Sequence, residues 1–173
     1  MNLLIRPSRD EDVPAIAAIY DNSVNTETAS WEYDPPGAEE MARRRADVLA
    51  KGFPYLVAEF DGELAGYSYA SPYRARIGYR FVVEDSVYVL HEMKGRGIGK
   101  ALLLALIAEC ERLGYRQMIA VIGDSENTGS IKLHAACGFE HIALFKGIGY
   151  KFERWLDSVQ MQRVLGDGSN TKA

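Results

Sequence analysis

The sequence predicts an α+β fold built on a central, largely antiparallel sheet, and three observations support this prediction. Its segments follow the order β-α-α-β-β-β-α-β-α-β-β, without the regular strand–helix alternation of a parallel sheet. Asp61-Gly62 lies between two strand-like segments, which is typical of an antiparallel hairpin. A glycine-rich turn leads into a helix that is apolar nearly all round, so we expect that helix to be buried.

The amino-terminal half contains two helices and four strands. The first strand is predicted at Leu3–Arg6, and the first helix begins near Pro14, because proline is tolerated in an opening turn. Residues 25–37 have the composition of an irregular loop. A second helix is predicted from Ala38 to Lys51. The remaining strands are predicted at Tyr55–Glu59, Leu64–Ala70 and Val82–Leu90.

The carboxy-terminal half begins with the glycine turn and the helix predicted at Ala101–Leu113. The further elements predicted are a strand at Met118–Ile122, a helix at Thr128–Cys137, and strands near Ile142–Phe145 and Val159–Leu165. Neither an internal repeat nor a linker interrupts the sequence, so residues 1–173 are predicted to form a single domain. Its core is expected at about 3–165, followed by a flexible tail at 166–173, which is polar and small.

Composition narrows the class of protein. A domain of 173 residues can bury enough surface to fold without a metal ion or a disulfide, so no metal is predicted. Cys110 and Cys137, the two cysteines, fall in apolar helical stretches and are interpreted as reduced core residues of a cytoplasmic protein. The amino terminus lacks the features of a signal peptide, and no apolar run approaches the ~20 residues of a membrane span.

Charge argues against nucleic acid as a partner. The net charge is −4, and a protein that binds phosphates along a strand normally presents a positive face. The run Arg43-Arg44-Arg45 is the basic cluster of the chain. Glu39 and Glu40 precede it by one helical turn, so we interpret the run as a solvated, salt-bridged helix face.

The turn Gly95-Arg96-Gly97-Ile98-Gly99-Lys100 has two possible interpretations. Glycines between a strand and a helix expose backbone N–H groups where a pyrophosphate can bind, and Lys100 adds a positive charge. The alternative is a tight turn without a ligand. The dinucleotide fingerprint fits poorly, because the strand Met118–Ile122 ends in Gly123-Asp124 with a loop and the amino-terminal half lacks βαβ alternation. A mononucleotide P-loop needs Ser or Thr after the lysine, and position 101 is Ala.

Two motifs resemble those of the GNAT acetyltransferase superfamily. The strand Glu84–Val89 followed by the turn Lys94–Lys100 is similar to its acetyl-CoA signature, Gln/Arg-x-x-Gly-x-Gly/Ala, with Lys94 at the Gln/Arg position. Asn127-Thr128-Gly129-Ser130, with Leu133-His134 and Gly138-Phe139, is similar to its second signature. The resemblance implies a GNAT fold, a mostly antiparallel twisted sheet with helices on both faces, and acetyl-CoA as co-substrate. The implied cofactor-binding residues are Val87, Tyr88, Val89, Gly95, Arg96, Gly97, Ile98, Gly99, Lys100, Asn127 and Ser130.

The resemblance extends to the phosphinothricin and methionine sulfoximine acetyltransferase family. The matching stretches are Asn25-Thr26, Trp31-Glu32, Ser71–Arg76, Tyr79-Arg80, Val83–Val89, Gly149–Phe152, Trp155 and Asp157. This implies acetylation of the α-amine of a small amino acid or analogue by a homodimeric enzyme. Two other functions stay open: acetylation of protein or peptide amines, and a non-catalytic acetyl-CoA-binding regulatory module.

The resemblance also assigns catalytic residues. Glu84 is the predicted general base, provided that burial raises its pKa, since an exposed carboxylate is a weak base. The alternative is an ion-paired strand residue. Asp85 is expected on the opposite strand face. His134 is predicted to protonate the departing thiolate, and the alternative is a surface histidine. The amides of Val87 and Val89 are expected to polarise the thioester oxygen.

Recognition of the amino-acid substrate is predicted for the loop before Glu84. Arginine guanidinium groups bind carboxylate and tetrahedral oxyanions in a bidentate way, although any single arginine is more often a surface residue. Tyr150 and Lys151 are candidates for closing the site from a carboxy-terminal hairpin. The predicted substrate-binding residues are Trp31, Tyr73, Arg74, Arg76, Tyr79, Arg80 and Glu84.

Overall fold

The fold is built on one mixed sheet of seven strands, seen in a computed structural model that describes residues 2–172. The strands are β1 Leu3–Pro7, β2 Tyr55–Phe60, β3 Glu63–Pro72, β4 Val82–Val89, β5 Gln117–Gly123, β6 Glu140–Lys151 and β7 Arg154–Val164. The helices are α1 Val13–Thr26, α2 Gly37–Ala50, α3 Ile98–Arg112 and α4 Thr128–Ala136. Single 3-10 turns lie at Asp10–Asp12, Ile77–Tyr79 and His91–Met93.

The strands lie in the order β1-β2-β3-β4-β5-β7-β6, and neighbours are antiparallel except β4 and β5. That parallel pair is short: Val82–Glu84 pair with Gln117–Ile119, and the two strands then separate. The predicted α+β fold with a largely antiparallel sheet is therefore confirmed. The separation of β4 from β5 opens the middle of the sheet.

Helices cover both faces of the sheet because the strands alternate their buried side chains. On β2, Leu56 and Ala58 point into the core beneath α3 and α4, whereas Tyr55 and Val57 pack with α1 and α2. Both cysteines are free and buried in the α3–α4 core, in agreement with the sequence. None of the helices in residues 2–172 is long and apolar enough to cross a membrane.

Several element boundaries differ from the sequence prediction. Strand β6 runs well beyond Ile142–Phe145, with irregular pairing between Phe145 and Gly149, because its glycines and exposed residues obscure the strand pattern. Helix α3 begins at Ile98, inside the glycine turn, and not at Ala101. The division into a core and a flexible tail stays a prediction.

The arginine run of α2 differs from its predicted role at one position. Arg43 is exposed and pairs with Glu40, as expected for a solvated face. Arg45 is instead buried, and its guanidinium donates to the Ser8 hydroxyl at 2.8 Å and pairs with Asp10 at 2.6 Å. The correction follows from helix geometry, since consecutive residues are about 100° apart and cannot share one face.

Candidate active site

The separation of β4 and β5 leaves peptide groups of β4 without a strand partner on that side. Leu90 N–H donates to Ala65 O on β3 at 2.9 Å. Because successive N–H groups of a strand alternate in direction, the N–H groups of Val87 and Val89 point to the opposite edge, into the gap. Two adjoining clefts lie along this gap, one on either side of the strand end.

The first cleft, here named the glycine-turn cleft, has a volume of about 340 Å³ and lies before the amino terminus of α3. Gly95 and Gly97 adopt φ angles of 79° and 82°, which favour glycine. A Cβ at either position would meet no atom within 4 Å, so the space before the turn is open. The first N–H groups of α3 have no acceptor within the helix, so the turn presents donors to an anion.

Nearly all the predicted cofactor-binding residues line this cleft. Arg96 does not, since its guanidinium lies over the Phe60 ring, 5.6 Å from the centroid. Across the cleft, Lys94 forms an ion pair with Glu27. The predicted residues that line it are Val87, Tyr88, Val89, Gly95, Gly97, Ile98, Gly99, Lys100, Asn127 and Ser130.

The second cleft, here named the carboxylate cleft, has a volume of about 320 Å³. Its lining includes Glu32, Glu84 and Asp85, although the Asp85 side chain is buried, and no Lys or Arg of the described chain lines it. The two clefts meet, since both are lined by Ala29, Val87, Tyr88, Asn127, Ser130 and His134. A molecule in one cleft can therefore reach a molecule in the other.

Glu84 lies where the two strands part. It is the last residue of β4 that pairs with β5, and its carboxyl group is partly buried. This burial, and secondarily the charge of Asp85, raise the pKa of Glu84 to about 6. The carboxyl group is thereby suited to exchange a proton near neutral pH.

His134 is buried, and both its ring nitrogens have partners. Nε2 is 2.9 Å from Oδ2 of Asp85, and Nδ1 is 2.8 Å from the carbonyl oxygen of Ser130. Burial lowers the pKa of His134, but the hydrogen bond and charge of Asp85 outweigh it, and the pKa is raised above its usual value. His134 is therefore not the surface histidine of the alternative interpretation. Asp85 lies on the opposite face of β4 from Glu84, as expected.

Helix α1 and the loop after it form one wall of the carboxylate cleft, and a network of hydrogen bonds holds this wall in place. The Tyr20 hydroxyl is 2.9 Å from Ser30 Oγ and donates to Glu32 at 2.7 Å. Arg44 binds Glu32 with two N–H groups, at 2.7 and 3.1 Å. The hydrogen bond from Arg44 lowers the pKa of Glu32, whereas burial raises the pKa of Tyr20 to about 12. Glu32 is thus ionised and Tyr20 protonated at neutral pH.

Trp31 lies in the wall of the carboxylate cleft and packs against the backbone of β6. A Cβ added at Gly149 would lie 1.9 Å from the indole ring, so only glycine fits there. Next to it, the buried ammonium of Lys151 donates to the carbonyl oxygens of Glu27 and Ser30 at 2.8 and 2.7 Å. Strand β6 therefore anchors the loop that carries Trp31, and Lys151 does so from outside the clefts.

The arginine loop, residues 73–80, lies outside both clefts. Its arginines are exposed, and the guanidinium of Arg74 lies 5.2 Å from the ring centroid of Tyr73 and 5.8 Å from that of Tyr79. The guanidinium of Arg80 lies over Phe81. The loop does begin beside the site, because Ser71 on β3 pairs with Glu84. The structure thus brings Trp31, Glu84 and His134 together but leaves the predicted substrate arginines exposed and outside both clefts.

Comparison with known proteins decides the family. The family model described as an acetyltransferase (GNAT) domain matches residues 5–160. The chain belongs to this family. The chain is 54% identical over 167 residues to a phosphinothricin N-acetyltransferase of Alcaligenes faecalis, covering 96% of this chain and 85% of the relative. It is 40% identical to an L-methionine sulfoximine/L-methionine sulfone acetyltransferase of Pseudomonas paraeruginosa, covering 95% and 96%.

A solved structure agrees with these relatives. A GNAT superfamily phosphinothricin acetyltransferase of Sinorhizobium meliloti, in complex with acetyl-CoA, matches with a TM-score of 0.96 and 47% identity, covering 99% of this chain and 93% of that one. The predicted resemblance is therefore confirmed, and the chain is an N-acetyltransferase that uses acetyl-CoA. The open glycine turn and the free amides of β4 fit a coenzyme A diphosphate and its pantetheine arm. Within residues 2–172, no three His, Cys, Asp or Glu side chains form a group that could hold a metal ion.

Sequence reasoning missed part of this GNAT site. Tyr20, Glu32 and Tyr69 line the carboxylate cleft and were not predicted as site residues. Glu32 stood beside Trp31 in a stretch that matched the family, and this was the signal that could have identified it. Tyr20 lies within a helical pattern and Tyr69 within a strand pattern, where nothing distinguishes them from core residues.

Proposed function

We propose that this GNAT enzyme acetylates the α-amine of small amino-acid analogues, namely phosphinothricin, methionine sulfoximine and methionine sulfone. The observation that carries the proposal is the position of Glu84, a carboxyl group with a raised pKa that lines the carboxylate cleft on the same strand as Val87 and Tyr88, which line both clefts. The names of the two curated relatives support the substrate class.

Glu84 acts as the general base in this proposal. The amine of a free amino acid is mostly protonated at neutral pH and cannot attack until it loses a proton. A carboxylate with a pKa of about 4.3 is a weak base. Burial of Glu84 raises its pKa and brings it closer to neutral pH, which makes the carboxylate a better base. Acetyl-CoA supplies the thioester that the amine attacks. The N–H groups of Val87 and Val89, which face the gap, stabilise the negative charge that develops on the carbonyl oxygen.

The arginine loop binds the acidic end of the substrate. The lining of the carboxylate cleft includes Glu32 and Glu84 and no Lys or Arg of the described residues, so it suits the ammonium end. The α-carboxylate and the phosphinate or sulfone group need donors at the mouth of the cleft. Arg74, Arg76 and Arg80 are the exposed cations of the loop that begins beside Glu84, and guanidinium groups bind such anions in a bidentate way.

A steady-state thiol-release assay tests this function. Methionine sulfone, phosphinothricin and a short peptide with a free amino terminus are compared at saturating acetyl-CoA. We expect turnover with the first two only. Glu84→Gln should lose turnover and keep its affinity for acetyl-CoA in calorimetry, because the glycine-turn cleft is unchanged.

The same assay separates the two other functions. Turnover of the peptide alone would reassign the enzyme to protein or peptide amines. Binding of acetyl-CoA without turnover of any amine would instead indicate a regulatory module. Both outcomes would refute the proposal.

The proposed homodimer rests on the edge of the sheet. Strand β6 pairs only with β7 among the described strands, and it exposes large apolar side chains, with 61% of Ile148 and 57% of Ile142 accessible. A second copy of the chain is the partner that buries this edge and its neighbour Trp155. Light scattering should give twice the chain mass, and Ile148→Asp should give the monomer. A wild-type monomer would contradict this.

The proposed location is the cytoplasm, where acetyl-CoA is available. The two free, buried thiols support a reducing compartment. The proposal involves neither nucleic acid nor a membrane as a partner.

A further inference from the structure

The Asp85–His134 pair is the most buried charged contact of the site. The side chains of Asp85 and His134 are 2% and 6% exposed, and Phe139 packs edge-on against the imidazole at 5.0 Å. The second carboxylate oxygen of Asp85, Oδ1, is buried and has no hydrogen-bond partner among the residues described. A buried carboxylate is destabilising when no positive charge balances it. The negative charge of Asp85 therefore depends on the positive charge of His134.

The partners of the imidazole determine its protonation. The carbonyl oxygen of Ser130 can only accept, so Nδ1 must carry a proton to bind it at 2.8 Å. The carboxylate of Asp85 can also only accept, so Nε2 must carry a proton as well. Both nitrogens are donors at once only in the imidazolium ion.

We propose that Asp85 is a positioning residue that holds His134 as an imidazolium, and that the Ser130 hydroxyl connects this stored proton to the clefts. The Ser130 hydroxyl is 3.4 Å from Nδ1, and Ser130 lines both clefts. The catalytic consequence rests on the proposed function, whereas the charge state of His134 does not.

Among the ionisable groups near His134, Asp85 is the one that determines the charge of the imidazole. Around the pair, the ionisable groups are Glu84 on β4, Cys110 on α3, and Cys137 after α4, with Lys100 and Arg163 farther out near Cys137. Burial raises the pKa of both thiols, so they are neutral at neutral pH. Glu84 lies on the other face of the strand. No second carboxylate among the described residues hydrogen-bonds the imidazole.

The proton transfer balances through Ser130. Its hydroxyl gives its proton to the thiolate sulfur left by acetyl transfer and takes the Nδ1 proton of His134. The Oγ–H and Nδ1–H bonds break, and an S–H bond and a new Oγ–H bond form. His134 ends neutral, with Nε2–H still donated to Asp85, and water restores its proton after the products leave. In this route His134 supplies the proton by way of the Ser130 hydroxyl, 3.4 Å from Nδ1, and not directly to the sulfur.

Nuclear magnetic resonance of the histidine side chains tests the charge state in the wild-type protein. The chain has three histidines, and His91→Gln and His141→Gln, both exposed positions, assign the third signal. We expect both ring nitrogens of His134 to show the cationic 15N shift at pH 7. A neutral tautomer at that pH would overturn the proposal, and this result does not depend on activity.

Asp85→Asn removes the charge and keeps the shape. The pH at which His134 titrates should then fall by about 1 to 3 pH units, because an adjacent opposite charge usually has an effect of this size. Asp124→Asn is the matched control, because it neutralises another buried carboxylate, one that pairs with Arg154 and not with a histidine. It should leave the His134 titration unchanged. An unchanged titration in Asp85→Asn would refute the role of Asp85, and the wild-type spectrum decides the charge state if that variant does not fold.

Kinetics test the route through Ser130. The fall of kcat at alkaline pH should move to lower pH in Asp85→Asn, whereas a purely structural role would lower thermal stability and leave the pH profile in place. Ser130→Ala should lower kcat without changing the His134 titration, because the backbone carbonyl still binds Nδ1. Ser130→Thr, which keeps the hydroxyl, should recover kcat. Wild-type kcat in Ser130→Ala would remove the relay.

Discussion

The two clefts of this enzyme are built from different parts of the chain. The glycine-turn cleft is formed largely by backbone: the turn before α3, the first N–H groups of that helix and the unpaired edge of β4. The carboxylate cleft is formed by side chains from distant segments, with Tyr20 from α1, Trp31 from the loop after it, and Glu84 from β4. The first depends on local sequence and the second on tertiary packing.

The two clefts differ in this way because the two substrates need different chemical groups. Coenzyme A presents a diphosphate, which backbone amides at a helix terminus can bind without a particular side chain. An amino acid presents an amine that must be deprotonated, and this needs a carboxyl group with an adjusted pKa. Substitutions in the two clefts should therefore affect the two Michaelis constants separately, and the following predictions test that separation.

The largest effect on stability is expected from the packing of the carboxylate cleft. Gly149→Ala places a Cβ 1.9 Å from Trp31, so the indole must move. We expect a loss of about 3 kcal/mol in the free energy of unfolding, the upper end for overpacking, and a higher KM for the amino acid. Thermal denaturation and steady-state kinetics measure both.

Trp31→Ala supplies the control for that substitution. In the double variant the added methyl group meets no indole, so the stability loss from Gly149→Ala should largely disappear. If the two losses add instead, the contact between Gly149 and Trp31 does not hold the loop in place.

A smaller effect is expected from the backbone of the glycine turn. Gly97→Ala imposes a side chain at a φ angle of 82°, which costs about 1 to 2 kcal/mol and disturbs the donors at the start of α3. We expect the KM for acetyl-CoA to rise about 10-fold and the KM for the amino acid to stay constant. Gly62→Ala is the matched control, because Gly62 has a φ angle of 91° in the β2–β3 hairpin, away from both clefts. A rise in the KM for the amino acid in Gly97→Ala would contradict the claim that the two clefts affect the two Michaelis constants separately.

The smallest effect is expected from the arginine loop. Arg76→Ala removes an exposed cation, and screening by solvent limits the loss to about 1 kcal/mol, or about fivefold in the KM for the amino acid. Arg43→Ala, an exposed arginine on α2, should leave that KM unchanged. The same KM in Arg76→Ala and wild type would remove the loop from substrate recognition.

The sequence predicted the backbone-built cleft well for a physical reason. Glycines at 95 and 97 are required by local backbone angles, and that requirement is visible in the residues themselves. Lys94 and Lys100 lie at the same turn and line the same cleft. The fold class was predictable too, because strand grouping and the Asp61-Gly62 hairpin are local signals.

The side-chain-built cleft was less predictable because its contacts join residues far apart in sequence. Asp85 and His134 are 49 positions apart, and their pairing depends on how α4 packs on β4. The same holds for Lys151, which is buried against the carbonyl oxygens of Glu27 and Ser30 more than 120 positions away. A periodic pattern reports which face a residue occupies, but not which partner it meets there.

The pH dependence of the ratio between wild-type and Glu84→Gln kcat/KM for methionine sulfone tests the central claim most directly. Ionisation of the substrate amine affects both enzymes alike and cancels in the ratio. Burial raises the pKa of Glu84 to about 6, so the ratio should be constant above pH 7, at about 10² to 10⁴. Below pH 6 the ratio should fall about tenfold for each pH unit, because Glu84 becomes protonated. A ratio that does not change with pH, or that stays near one, would contradict the assignment of Glu84 as the base.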